Sequence, residues 1–366
     1  MFFGLSEEQL LIQESFKGLL TRAVDLDRLR KNAAGGHGTD AALMRELATL
    51  GLPGLLISEE YGGSGLTLIE AAIVGIELGR AAAPVPFAGT AVMAPRALSC
   101  AGSPAQQQEW LPKLASGEIT TIGIAVAEYA AGARRDATVK SQNNRLNGKA
   151  SFVLDGADAA AFIIADSAGN LYLLRGDAPG VKKDVLPSID PTRPLAELTL
   201  EDAPAEPLPN GTPAMLDALI NAGRVILAAE SFGAGEEMLR RAVDYAKERQ
   251  QFGRVIGSFQ AVKHMCAEMA AELQPCQSLV WYSAYAADHL PEDAALSALL
   301  TKSHMDETGR FVARTAIEVH GGMGYTDLMG LHYWFKRIGF NRATFGGPEI
   351  IRMRAAELQG FVAGAA

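Results

Sequence analysis

Apolar residues recur at Leu10, Leu11, Phe16, Leu19 and Leu20, the spacing of a helix with one buried face. Ser6 and Gln9 read as a capping box ahead of it, with Leu5 and Leu10 as a hydrophobic staple. Helical patterning returns from about Ala41 to Leu50, and from Thr67, a candidate cap, to about Arg80. Between them "EEYGGSGLT" is a Gly-rich turn, and "APVPF" breaks the chain after Arg80. Further helices are expected over Thr90–Ser99 and Pro104–Ala115. From Glu118 the period changes. "TTIGIAVAE", "ATVKSQ", "RLNGKASFVLD", "AAFIIAD", "LYLLR" and "LAELTLED" are short β-rich runs separated by turn chemistry. The Pro-rich stretch Ala203–Pro213 ends them. Long helical patterns then cover about Ala214–Gln251, Ser258–Leu290, Pro291–His320 and Pro348–Phe361.

This order predicts an α+β chain in three parts: an N-terminal helical domain (1–118), a small antiparallel β-barrel or sandwich (119–205), and a C-terminal domain like a four-helix bundle (206–366). No repeat or low-complexity segment interrupts it. At 366 residues, 48% hydrophobic and 20% charged, the composition suits a soluble globular protein. The net charge of −9 comes without a long basic run, which argues against a nucleic-acid partner. Three cysteines without a CxxC suggest neither a disulfide framework nor a Cys-based metal site. The start "MFFGLSEEQ" lacks a signal-peptide pattern, and no apolar run approaches the ~20 residues that cross a bilayer. A cytoplasmic protein without membrane insertion is therefore expected.

Two clusters carry candidate chemistry. In "YAKERQQFGRVIGSFQAVKHM", Arg249 ends one helix and Gln260 sits in the first turn of the next. Ser258 is placed to cap that second helix, whose free N–H groups would accept an anion. Arg249 offers a planar fork for a phosphate oxygen, with Phe252 and Phe259 as an apolar wall. Local pattern alone favours the plainer reading, a helix hairpin with a surface Arg and Gln. In "EVHGGMGYTD", Gly321, Gly322 and Gly324 follow a helix, where they end it or admit a ligand close to the backbone. No strand precedes them and no GxGxxG is present, so this is not a dinucleotide fingerprint.

Taken together, these stretches resemble the acyl-CoA dehydrogenase family along nearly the whole chain. "YAKERQQFGRVIGSFQ" is similar to its RxxFGxxxxxFQ signature, "GLPGLLISEEYGGSGLTLIEAAIVGIELGR" to its N-terminal helices, and "EVHGGMGYTD" to its QxxGGxG segment. The resemblance implies FAD, an acyl-CoA substrate, α,β-dehydrogenation, an electron-transfer flavoprotein as acceptor, and a homo- or heterotetramer. It implies that Arg249, Phe252, Gln260, Glu318, Gly321 and Gly322 meet the ADP and pyrophosphate of a flavin whose ring lies in the neighbouring subunit.

The sequence departs from the family where the reaction occurs. The two positions that supply the proton-abstracting Glu hold Phe345 and Gly223. The segment like TEPxAGSD reads "AEYAAGARR": Ala127, Tyr129, Ala133 and Arg134 replace Thr, Pro, Ser and Asp, while Glu128 and Gly132 stay. Phe152 stands for the aromatic beside the ring, Leu154 for a Thr, and Glu318 for the Gln of QxxGG. Glu230, two turns past Gly223, is the weak alternative base. Its plainer reading is a bundle carboxylate paired with Lys or Arg. His264 and His320 read as structural. The pattern is similar to the base-lacking subunit of α2β2 members. "GLHYWFKR" and "TFGGPEIIR" resemble the steroid or dicarboxylate branch. The alternatives are a self-sufficient flavoenzyme with a displaced base or with oxidase or monooxygenase chemistry, and a non-enzymatic acyl-CoA-binding or assembly partner.

Overall fold

The computed structural model describes residues 4–36, 38–131 and 138–362. Six helices come first: α1 (Glu7–Ala23), α2 (Leu26–Gly35), α3 (Ala41–Ala48), α4 (Leu68–Arg80), α5 (Ala94–Ala101) and α6 (Pro104–Ala115). The Ser6–Gln9 capping box forms, with Gln9 N donating to Ser6 Oγ at 3.2 Å. The buried face of α1 is not the expected one throughout. Gln9 and Gln13 donate to Glu70 and Glu77 of α4, and Phe16 and Leu20 continue that face inward. Leu10 and Leu11 point away and are exposed, so Leu10 does not close a staple. The helix expected over Thr90–Ser99 divides into a wide-turned π-helix, Phe87–Met93, and α5. Pro95, near the start of α5, has no N–H to continue an ordinary ladder backward.

The middle of the chain forms one eight-stranded sheet: β1 (Ile122–Ala125), β2 (Val139–Gln142), β3 (Arg145–Leu154), β4 (Ala161–Ala165), β5 (Leu171–Arg175), β6 (Val181–Leu186), β7 (Leu195–Pro204) and β8 (Glu206–Pro207). Its order is β6-β7-β3-β1-β4-β5-β8, with β2 beside β3. The sheet is antiparallel except that β1 pairs β4 in parallel. A short helix, α7 (Ala127–Ala131), interrupts the strands after β1. The sequence pattern missed β6, an edge strand carrying Lys182 and Lys183 and mostly exposed.

Beyond the sheet lie α8 (Pro213–Glu248), a hairpin of β9 (Gln250–Gln251) and β10 (Arg254–Val255), α9 (Gln260–His289), α10 (Pro291–His320), α11 (His332–Ala343) and α12 (Pro348–Leu358). Helix α8 is the spine. It crosses α4 so closely that a Cβ on Gly233 would stand 1.8 Å from Ile76 O, and one on Gly79 would stand 2.0 Å from Glu230 O. Only glycine allows that approach.

Polar side chains join the three parts at a buried junction. Arg337 of α11 donates through Nε to Asp190 (2.6 Å) and through Nη2 to Thr192 Oγ1 and the carbonyl of Ala83. Arg193 pairs with Glu230 of α8 and donates to Val85 O. Asp155, just past β3, accepts from Gly89 N of the π-helix at 3.0 Å. Arg193, Arg337, Glu230, Asp155 and Asp190 are all at most 1% exposed.

Candidate functional site

The candidate phosphate residues gather at one end of the helical bundle. Tyr245, one turn before the end of α8, stacks on His320 at the end of α10, ring centroids 4.5 Å apart. Helix α9 begins at the same end. The stretch "FGRVIGS" between α8 and α9 is a hairpin. Phe252 (φ 51°) and Gly253 (φ 75°) are its two turn residues, both left-handed as a type I′ turn requires. Phe252 is 92% exposed and meets Phe259 edge to face. Ser258 does not cap α9. Its Oγ donates to Val255 O at 2.7 Å in a 3₁₀ turn, and Phe259 takes the cap position without a side-chain bond. The first turn of α9 thus keeps its N–H groups free of any side-chain cap, as an anion-accepting end does.

Arg249 and Gln260 are exposed, and neither side chain has a hydrogen-bond or ion-pair partner among the described residues. A Cβ on Gly321 or Gly322 would meet nothing within 4 Å. Glu318 is exposed, so its carboxylate can turn to solvent. Uncapped N–H groups, an unpaired Arg fork and bare glycine backbone fit the diphosphate of a dinucleotide.

The other candidate residues gather elsewhere. Gly223 lies 26 residues before Arg249 along α8, about 39 Å by helix rise. There a cleft of about 410 Å³ is lined by Ala127, Phe152, Ile189, Leu195, Phe340 and Phe345. Phe152 faces it because β3 is bulged against β7 between Ala150 and Val153, and Phe152 takes φ 54°. The walls are mostly apolar, with Ser188 and Thr344 as polar members, and Leu154 is buried in the core rather than in the cleft. Gly132, Ala133, Arg134 and Arg135 lie outside the described residues, as does the Glu128 side chain. Of the polar side chains that line the cleft, Thr344 donates its Oγ1 hydroxyl to Phe340 O, and the buried Ser188 Oγ has no hydrogen-bond partner among the described residues.

The two base positions touch. A Cβ on Gly223 would lie 2.8 Å from Phe345 Cε2 and 2.7 Å from Met93 Sδ. Arg224 Nε donates to the Phe345 carbonyl at 2.9 Å, and its Nη1 donates to Asn221. Burial pushes the Arg224 guanidinium down to about 10. The buried cations Arg193, Lys302 and Arg337 each have a carboxylate within 4 Å; Arg224 has none among the described residues. Glu230 is held by Arg193 and lies 3.8 Å from Arg337, and it does not line the cleft. Its side chain belongs to the junction. His320 is likewise structural in setting: buried, bonded through Nδ1 to Ala316 O, and pushed below the usual imidazole range by burial.

Sequence reasoning missed Arg193, Arg337, Asp190 and Asp155, because charges in loops and on a short helix read as solvent-facing. It also missed Met93, whose neighbours come only from the tertiary fold.

Residues 6–118 match the acyl-CoA dehydrogenase N-terminal domain and residues 210–359 the acyl-CoA dehydrogenase C-terminal domain. The chain belongs to the acyl-CoA dehydrogenase family, whose members are FAD flavoproteins and oxidoreductases acting on CH–CH bonds. It is 33% identical to acyl-CoA dehydrogenase IpdE2 of Mycobacterium tuberculosis, covering 96% of this chain and 98% of that one. Among solved structures, it is similar to the ChsE4-ChsE5 complex from Mycobacterium tuberculosis (TM-score 0.90, 25% identity, 100% of both chains). It is also similar to a variant of the Tcur3481-Tcur3483 steroid ACAD (TM-score 0.88, 29% identity, 97% of this chain and 98% of that one). Among the described residues no helix is long and apolar enough to cross a membrane, and no group of three His, Cys, Asp or Glu is placed to hold a metal ion.

Proposed function

We propose that this chain is the base-lacking subunit of a heteromeric acyl-CoA dehydrogenase. One observation carries the reading: the two positions for the catalytic carboxylate hold Gly223 and Phe345, packed on each other, while the phosphate end of the bundle is free. Without a base the α-carbon of a thioester does not ionise at a useful rate. The roughly 39 Å of helix rise between Gly223 and Arg249 separates the ring cleft from the phosphate residues, so one chain does not supply both to a single flavin.

When bound, FAD would accept the hydride from the β-carbon. This chain's part is to hold its phosphates: Arg249 by a charged fork, Gln260 and the start of α9 by N–H donors, Gly321 and Gly322 by close backbone. Phe252 would reach across to the partner beside them. The partner would supply the carboxylate and the polar ring contacts. The ChsE4-ChsE5 complex and the steroid ACAD among its neighbours favour a paired assembly and a steroid-derived acyl-CoA. An electron-transfer flavoprotein as acceptor and a cytoplasmic location belong to the same reading. The self-sufficient alternative needs a displaced base, and its candidate, Glu230, is taken up by two arginines.

The test is the visible absorbance of the chain purified alone and purified with a Glu-bearing family partner. The expected result is a colourless single chain and about one flavin per pair. A single chain that carries one flavin and oxidises an acyl-CoA overturns the reading.

A further inference from the structure

We infer that Phe345 closes this chain's own acyl site, so that the site is physically filled as well as short of a base. The inference rests on the heteromeric reading and deepens it: a merely baseless site would still bind an acyl-CoA as a dead-end complex, and a filled one does not.

A base works only within hydrogen-bond reach of the proton it takes, so an acyl α-carbon would have to lie beside positions 223 and 345. Here that hollow is full. The Phe345 ring and the Met93 thioether stand 2.8 and 2.7 Å from the point where a Gly223 Cβ would be. Phe345 is 3% exposed and Met93 is fully buried, on a π-helix whose seven residues are all buried. On the Gly223 and Met93 side the ring is closely packed, and its other side forms the wall of the cleft.

The backbone is committed to this placement. Phe345 takes φ 59°, a left-handed conformation costly for an aromatic residue, and Gly346 follows at φ 102°. The Arg224 guanidinium fixes the Phe345 carbonyl. Strain of this kind persists only where the surroundings impose it. The cleft beyond has the same ring in its wall, so it ends at Phe345 and does not reach Gly223.

The experiment compares octanoyl-CoA with free CoA by isothermal titration on the purified chain. The comparison cancels whatever the nucleotide half contributes. The wild-type chain should bind the two alike. Phe345→Ala should bind octanoyl-CoA at least about tenfold more tightly than CoA, which corresponds to about 1.4 kcal/mol from the acyl chain. Phe345→Leu keeps most of the packing and should show a smaller gain; it also serves if the Ala variant does not unfold cooperatively. The inference is overturned if the wild type already prefers octanoyl-CoA and neither variant changes that preference. It is equally overturned if a cooperatively folded variant gains none. Flavin absorbance on the same samples reports separately on the heteromeric reading, which a flavin on every wild-type chain would sink whatever the acyl-CoA does.

Discussion

Gly223 and Phe345 are one structural unit, although the sequence shows them only as two separate losses. Any side chain at 223 collides with Phe345 and Met93. Gly223→Ala should therefore cost about 1–3 kcal/mol in urea unfolding, the usual range for overpacking. Phe345→Ala should relieve the part of that cost that comes from the ring, leaving the Met93 contact. The double variant should differ from the sum of the singles by at least about 1 kcal/mol, as contacting residues do. Independent, additive effects would show that the two positions do not share a space.

Asp155 makes a second prediction at this scale. Burial first, and then Glu230, raises its carboxyl to about 6 against the lowering pull of Arg193. The folded state thus holds the proton to a higher pH than the unfolded chain, whose ordinary value is 3.8. Stability attributable to this group is full below pH 4 and falls as pH rises to 6, by up to about 1.4 kcal/mol per pH unit. In urea unfolding, wild type should lose stability relative to Asp155→Asn across that window, and the difference should level off above it. A difference that is flat from pH 4 to 7 would mean that Asp155 ionises normally. None of this was legible in the sequence, where Asp155 looks like an ordinary turn residue after a strand.

At the scale of elements, the long helices could be read nearly to the residue. Pro291–His320 was expected and found, and α8 and α9 differ from expectation only at their ends. Their apolar periodicity runs over many turns. Helices α2 and α11 escaped because charged residues break their pattern: Arg28, Arg30 and Lys31 in one, Lys336, Arg337 and Arg342 in the other. In α11 the buried face includes an arginine, Arg337, among Trp334, Ile338 and Phe340. The hairpin between α8 and α9 was legible as a break but not in form. Ser258 looked like a cap, and only three-dimensional geometry shows its hydroxyl spent on Val255. Phe252 at the hairpin tip holds a positive φ with 92% of its surface exposed, an arrangement poor for the isolated chain. Phe252→Asn suits a type I′ turn and should stabilise the single chain by about 0.5–1 kcal/mol in thermal unfolding. The same change should weaken flavin retention in the paired enzyme, measured by dialysis. Gain in one and loss in the other would separate a functional aromatic from a tolerated one.

For the whole molecule, the helix–sheet–helix order was readable because the period of the apolar pattern changes twice. The grouping of site residues into two clusters about 39 Å apart along α8 was not, since sequence gives no distances between helices. That grouping yields an assembly prediction. Arg249→Ala in this chain should remove the flavin from the co-purified pair by at least about tenfold in affinity, because a charge-assisted contact to phosphate is lost. The single chain's unfolding should barely change, since Arg249 makes no side-chain bond among the described residues. A pair that keeps its flavin after this substitution would place the phosphates elsewhere.

The buried junction also bears on how the chain is made. Arg337 donates to the carbonyl of Ala83 across 254 residues of sequence, and Trp334 Nε1 reaches the carbonyl of Arg80 across another 254. At about 5–20 residues per second, a ribosome needs about 13–50 s to deliver α11 after α4 has emerged. For that interval the first helices lack their cover, with apolar surface and free carbonyls presented to whatever is nearby. This protein should therefore be a natural client of the chaperones that guard nascent chains, and its yield should respond to translation speed more than its final stability would suggest.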